Sequence, residues 1–380
     1  MKDGPFDGDI SDASNRRNAN LDLLRAAAIV AVVFFHVCQM SPVPLTRLMN
    51  VASFGQYGVD LFFVLSGWLI GGLYWKEYNK FGNIDIGRFW LRRWLRTIPP
   101  YLIALLLSWL AVWMSREEPF DLGYLIFIQN YYDNIPFFLV SWSLCIEEHF
   151  YLFVPLISIP FLGRGKFLSI FFISLLLIPL VCRIVYYITH VEGRVPVFGF
   201  ELTATHLRME GLLLGFWLSR LAIAHPAVWL RDSPVALWGS IAIGIGFIFA
   251  VIAGSWLVYC LGFSALAWTL ALLLFFLQGR KPGRLATSRI VYLIALASYS
   301  VYLTHALMIH VARIIVQKIP NEFWPVYFPL AIVLIVFSGG AFYWMVERAS
   351  IRLRDRWVPR RSKGFCVKGQ FSARAHQHCP

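Results

Sequence analysis

Apolar residues dominate this chain in blocks of the length that crosses a bilayer, about 20 residues, and the charged residues gather between the blocks. The pattern predicts ten spans, at roughly 21–40, 56–75, 98–115, 143–162, 167–188, 206–224, 235–253, 256–277, 290–316 and 323–346. Asn20 or Asp22 is placed to cap the first helix, and Ser41-Pro42 to stop it. The stretch 119–141 is also apolar, but Asp121, Asp133, Asn134 and Pro136 interrupt it, and it reads as a re-entrant or interfacial loop. The fold class is therefore all-α, a polytopic membrane bundle of about ten transmembrane helices.

Loop charges orient the bundle. Basic clusters lie between spans two and three (Lys76, Lys80, Arg88, Arg92, Arg93, Arg96), between spans eight and nine (Arg280, Lys281, Arg284, Arg289), and after span ten (Arg348 to Lys363). The loop 41–55 holds only Arg47. An even span count puts all three clusters and both termini on one side, which the positive-inside rule makes the cytoplasm. The expected organisation is a polar N-terminus over 1–20, a membrane domain over 21–346 and a basic tail over 347–380 lying on anionic lipid headgroups. Nothing in the polar first 20 residues resembles a cleavable signal peptide.

Composition supports the membrane reading: the 380 residues are 58% hydrophobic and 14% charged, too few charges to cover a soluble surface. The net charge of +13 follows from the cytoplasmic loops and does not call for nucleic acid. Cys38, Cys145, Cys182, Cys260, Cys366 and Cys379 show no C-x-x-C spacing, so neither a disulfide framework nor a zinc site is indicated. His376-Gln377-His378-Cys379 places metal-binding residue types at the end of the tail by chance, and no metal is expected.

Chemistry enters with Arg25 and His36 on the first span. Eleven residues are about three turns, so both side chains project from one face, roughly 16 Å apart along the axis. Ionisable groups inside a membrane helix are costly and usually face an interior site. An imidazole there accepts a hydroxyl proton near neutral pH; Arg25 alone would serve equally as an interfacial anchor. The segment SWSLCIEEHFYLFVP places Glu147, Glu148 and His149 at the start of the fourth span. Neighbouring residues diverge by about 100° on a helix, so one carboxylate at most can face and orient His36; as an interfacial charge cluster the trio would need no such role. Arg88, Arg92 and Arg96 form a helical cationic stripe, suited to phosphates or to topology anchoring. Pro99-Pro100 should break or kink the entry to the third span. Ser298, Tyr302 and His305 make a polar stripe in the ninth span. Asp60 and Ser66 sit in a glycine-rich segment that otherwise suits close helix packing.

Together these motifs resemble the acyltransferase-3 family of integral-membrane O-acyltransferases. Arg25 with ten residues before His36, GVDLFFVLSGWLI at 58–70, FWLRRWLRTIPPY at 89–101, SWSLCIEEHFY at 141–151 and SYSVYLTH at 298–305 match in order. The resemblance implies a ten-helix domain that moves an acyl group, often acetyl, from acyl-CoA to a hydroxyl of a cell-surface or exported carbohydrate, sometimes of a lipid. It implies essential roles for Arg25 and His36, an arginine motif at Arg92, Arg93 and Arg96, and an acidic motif at Glu147. The chain looks like the stand-alone form, without a fused esterase-like domain. Trp68 and His149 stand where the family often has Phe and Gln.

The expected activity is acyl-CoA-dependent O-acylation of a glycan, free or lipid-linked, at a bacterial inner membrane, with acyl-CoA as donor substrate, no permanently bound cofactor and membrane lipids as neighbours. His36, Arg25 and Glu147 are the expected catalytic residues, and Arg92, Arg93 and Arg96 the donor site. Asp60, Ser66, Glu148, His149, Tyr302 and His305 are further candidates for the site wall. His36 would deprotonate the acceptor or take the acyl group itself. A transporter or flippase for a glycolipid would also need buried charge, though inverted-repeat symmetry is not visible.

Overall fold

The computed structural model describes residues 18–191, 199–225, 233–253 and 258–361. Most of the expected N-terminal segment, and the tail beyond Arg361 with Cys366, His376, His378 and Cys379, lie outside the described residues. Every regular element among those described is helical. The principal helices are α1 (Ala19–Gln39), α2 (Gly58–Phe81), α3 (Ile86–Arg116), α4 (Trp142–Ser158), α5 (Gly165–Tyr186), α6 (Glu210–Ala224), α7 (Ser233–Ile252), α8 (Phe263–Gln278), α9 (Arg289–Val316), α10 (Tyr327–Phe342) and α11 (Arg348–Trp357).

Nine helical stretches among the described residues are long and apolar enough to cross a bilayer. The remaining expected span, the sixth at 206–224, is α6, whose 15 residues reach about 22 Å against a hydrocarbon core of about 30 Å. Two short helices, Phe200–Thr203 and Thr205–Arg208, precede it. Packing directions nevertheless preserve the alternation that ten crossings require. Gly211 lies against Phe63 and Val64, and Phe216 and Ser219 lie against Gly71, so α6 runs parallel to α2. Ala26 clusters with Val291 and Ala295 while His36 meets His305, so α1 runs parallel to α9. Ser300 and Thr304 of α9 meet Glu347 and Ser338 in turn, which makes α10 antiparallel to it.

Glycines allow the closest of these contacts. A Cβ on Gly67 would stand 2.0 Å from the Leu212 carbonyl oxygen, and one on Gly215 would stand 2.1 Å from that of Val64. The glycine-rich segment therefore serves packing, as its composition suggested.

Two expectations are corrected. The prolines at 99 and 100 do not separate a basic loop from a third span, because α3 runs unbroken through both. Membrane helices tolerate proline where neighbours supply hydrogen bonds; the pair removes the helical donors to the Leu95 and Arg96 carbonyls, and the Tyr299 hydroxyl donates beside them, to the Thr97 carbonyl, at 2.9 Å. Nor does the bundle end at 346. A π-helical turn over Tyr343–Glu347 joins α10 to α11, and the segment after it is held by α3. Arg88 donates to the Pro359 carbonyl at 2.6 and 3.0 Å, and Arg92 donates to Asp355 at 3.1 Å and to the Val358 carbonyl.

The stretch 119–141 is a packed loop of short 3-10 turns, as its polar interruptions suggested. Tyr101 of α3 donates to the Tyr124 carbonyl at 2.8 Å, and Gln129 donates to Tyr101 and Ser141 at 3.1 and 3.0 Å. Burial pushes the Tyr124 phenol above its ordinary range, so it stays protonated and donates to the Phe137 carbonyl.

Candidate active site

A half-enclosed cavity of about 600 Å³ runs through the bundle. Along α2 its wall extends from Val59 to Lys76, a run of about 25 Å at 1.5 Å per residue. Asn18 and Lys76, both exposed, surround one end with Gln278, where the basic loops gather; Val59, Ser143 and Tyr302, all buried, close the other with Phe62. Ser66 and Glu147 stand on the wall between them.

The expected cations divide. Arg25, Arg93 and Arg96 line this cavity. Arg25 sits on α1 beside Asp22, 3.8 Å away. Arg96 faces Glu347 at 3.9 Å, and Glu347 in turn accepts from Ser300 at 2.6 Å. Arg93 is tied more tightly, 3.3 Å from Glu147 and hydrogen-bonded to the Tyr151 hydroxyl. Arg92 points to the C-terminal segment instead. Helical spacing alone does not explain the split, because Arg92 and Arg96 lie one turn apart on one stripe; what differs is the partner each meets along the C-terminal segment, Asp355 and Val358 for Arg92 and Glu347 for Arg96. Two of the three expected donor-site arginines, Arg93 and Arg96, therefore line the cavity, and Arg92 does not.

Glu147 does not orient His36. Its Oε2 accepts from the Tyr151 hydroxyl at 2.7 Å and from Arg93, and Tyr151 also bonds to Ser66. The partner of His36 is His305, whose Nε2 lies 3.3 Å from His36 Nδ1. Their ring centroids are 5.0 Å apart. Tyr302 joins this pair to the cavity: its ring is 5.6 Å from that of His305, and its hydroxyl bonds to Ser143 at 2.6 Å. His36 and His305 therefore stand one layer of side chains beyond the closed end. His305 is fully buried, and His36 is half-buried.

The other candidates go elsewhere. Asp60 is buried in an ion pair with Arg208 at 2.9 Å and is absent from the cavity wall. Glu148 accepts from the Thr97 hydroxyl at 3.0 Å. His149 bonds to Thr205 at 2.7 Å and lines a separate groove of about 250 Å³ with Tyr131 and His206. Sequence reasoning missed Tyr151, Thr97, Tyr299 and Glu347. The three hydroxyl residues lie inside the matching motif segments, but only packing shows what they meet. A second buried pair, Arg183 with Glu210 at 2.5 Å, ties α5 to α6 and is completed by Ser264. Among the described residues, no group of three His, Cys, Asp or Glu could hold a metal ion.

The profile of the acyltransferase-3 family, described as an acyltransferase domain, matches residues 18–344. The chain belongs to that family. The O-acetyltransferase OatA of Staphylococcus aureus is 32% identical over 226 residues, which are 53% of this chain and 34% of that protein. A putative O-acetyltransferase of the same organism is 31% identical over 236 residues, 56% of this chain and 36% of that protein. The chain thus spans about a third of the length of the curated relatives it matches. No solved structure gives a significant match. The family match extends from α1 into the turn after α10, and so takes in nearly all of the cavity wall.

Proposed function

We propose that this chain transfers an acetyl group from acetyl-CoA to a hydroxyl of a carbohydrate, free or lipid-linked, at a bacterial inner membrane. The observation that carries the reading is the long cavity itself, open at the basic end of the bundle, with Arg25 and Arg96 on its wall and hydroxyls at its closed end. Nearly all of its wall, Glu347 excepted, lies in the part of the chain that matches an acyltransferase domain, and relatives named O-acetyltransferases support acetyl as the group moved.

In this reading the donor's phosphates engage Arg96 and Arg25. The Arg96–Glu347 contact, at 3.9 Å, is loose enough to yield to a phosphate, for which a guanidinium fork is well shaped. Arg93 holds Glu147 and Tyr151 in the wall. The acyl arm follows α2 to the closed end, and a shift of Tyr302 or Phe62 brings the thioester to His36. There His36 takes the acceptor's proton, the oxygen attacks the thioester carbonyl, the C–S bond breaks, and the departing thiolate recovers a proton from the imidazolium. In the alternative order His36 carries the acetyl group before the acceptor does.

The test is incubation of purified protein in lipid nanodiscs with radiolabelled acetyl-CoA and candidate glycans. Label is expected in the glycan and absent from mock reactions. Folded protein with no saturable acetyl-CoA binding would sink the reading and favour a glycolipid transporter.

A further inference from the structure

The contacts of the two histidines beyond the cavity fix where their protons sit. His305 Nδ1 lies 2.8 Å from the Tyr302 carbonyl oxygen and 3.2 Å from that of Val301. Carbonyl oxygens only accept, so Nδ1 of His305 carries its hydrogen. In the neutral ring Nε2 is then a lone pair, and it faces His36. His36 Nδ1 is 2.9 Å from the Val32 carbonyl oxygen, so this nitrogen also carries hydrogen and shares it with His305 Nε2. A proton on His305 Nε2 would set N–H against N–H, so the observed contact requires a neutral His305. The unprotonated nitrogen of His36 is Nε2.

We propose that His305 is the positioning residue for His36: a neutral, buried hydrogen-bond acceptor that fixes the Nδ1–H tautomer and leaves Nε2 as the base. The inference rests on the acetyl-transfer reading above. When His36 Nε2 takes the acceptor's proton, its Nδ1–H becomes part of an imidazolium, and the bond to His305 strengthens because its donor is now charged. This is the task an orienting carboxylate performs in other base pairs, and Glu147, the expected carboxylate, is committed to Arg93 and Tyr151. Exposure divides the roles, because His305 is fully buried whereas His36 is only half-buried. The Nδ1–H of His305 donates to two backbone carbonyls, which lock its ring in the way that outer partners lock metal-binding imidazoles.

The experiment compares His305→Phe, which keeps a flat ring and loses the acceptor, with His305→Gln, whose amide oxygen can replace it. Both are made in the full chain in nanodiscs, and 15N-histidine spectra are recorded alongside kinetics. Loss of a hydrogen bond to a charged group corresponds to about a 10- to 150-fold lower kcat. His305→Phe is expected to show that loss with KM for acetyl-CoA unchanged, and His305→Gln to recover most of it. In the unmodified protein the His36 spectrum should show hydrogen on Nδ1 and none on Nε2, and His305→Phe should mix the two tautomers. Full activity in His305→Phe, equal losses in both variants, or hydrogen on His36 Nε2 would each overturn the proposal. If folded wild-type protein transfers no acetyl group, it is the acetyl-transfer reading that fails. The tautomer spectrum needs no turnover and still decides the His305 contact.

Discussion

Arg93 Nη2 stands 3.3 Å from Glu147 Oε2, and the Tyr151 hydroxyl donates to the same oxygen at 2.7 Å. Two motifs that are separate in sequence, the arginine run of α3 and the acidic pair of α4, are thus one structural unit. Arg93→Ala leaves a half-buried carboxylate with a partner missing, which costs about 1–3 kcal/mol. We expect lower thermal stability in detergent, and a double Arg93→Ala/Glu147→Ala variant that loses less than the sum of the single changes. Strict additivity in unfolding measurements would show that the pair contributes nothing together. Arg93→Lys should recover part of the loss, since both bonds leave the single nitrogen Nη2 and an ammonium has the donors to make them, though it is more strongly hydrated than a guanidinium and so costlier to bury.

Arg92 and Arg96 differ by one turn and should differ in phenotype. Arg92 holds the segment after α10 through Asp355 and Val358, whereas Arg96 lines the cavity. Arg92→Ala should speed tryptic cleavage within 348–361 and leave acetyl-CoA affinity as it was. Arg96→Ala should weaken acetyl-CoA binding by about 10- to 150-fold without exposing that segment. Isothermal titration with both variants, beside timed proteolysis, checks the pair of outcomes. Equal affinity losses would return the arginines to a single shared role.

The α2–α6 contact predicts a contrast between glycines five residues apart. A Cβ at Gly67 would meet the Leu212 carbonyl oxygen at 2.0 Å, while one at Gly72 meets nothing within 4 Å. Gly67→Ala must separate two helices and should cost about 1–3 kcal/mol. Gly72→Ala should be neutral or slightly stabilising, since alanine favours helix over glycine. Unfolding temperatures of the two variants in the same detergent decide it, and similar values would argue against the close approach.

The hydrophobic pattern made the helices legible, and the glycines marked α2 for close packing, because both are local properties of the chain; that the partner is α6 was not legible. Charge pairing was not legible. Asp60 meets Arg208 across 148 positions, and Glu147 meets Arg93 across 54; such pairings depend on which helices pack together. For the same reason the partner of His36 is a histidine of α9, while the nearest carboxylate motif serves α3. The continuity of α3 through Pro99 and Pro100 was hidden because proline breaks helices in water more reliably than in a bundle whose neighbours supply hydrogen bonds. The shortness of α6 was hidden because the expected span began at His206, whereas Thr205–Arg208 form a separate short helix and α6 starts only at Glu210.

Packing direction and charge together set the orientation. The basic loops gather at the end of the bundle that carries Asn18, Lys76 and Gln278, and the positive-inside rule predicts that this end is cytoplasmic. Reporter fusions at Gly82 and after Arg361 should give cytoplasmic signals, and a fusion near Asp133 an external one. An external signal at Gly82 would reverse the bundle and put the cavity mouth on the wrong side for a cytoplasmic acyl donor.

His36 and His149 provide the final contrast. Both are half-buried imidazoles, and both could serve as a base if sequence alone decided. Their surroundings separate them. His36 lies one layer beyond the cavity, next to His305 and joined through Tyr302 to Ser143 on its wall. His149 is bonded to Thr205 in a different groove, about 200° around α4 from Glu147. His36→Ala should therefore lower acetyl transfer by about 10²–10⁴-fold, as loss of a general base does. His149→Ala should retain transfer. Removing the His36 ring leaves the Val32 carbonyl within its helix ladder, so His36→Ala should still insert, fold and bind acetyl-CoA. Rates with radiolabelled acetyl-CoA, taken with binding measurements on the same preparations, separate chemistry from folding. Near wild-type transfer by His36→Ala, with transfer lost in His149→Ala, would move the reaction centre to the far side of α4.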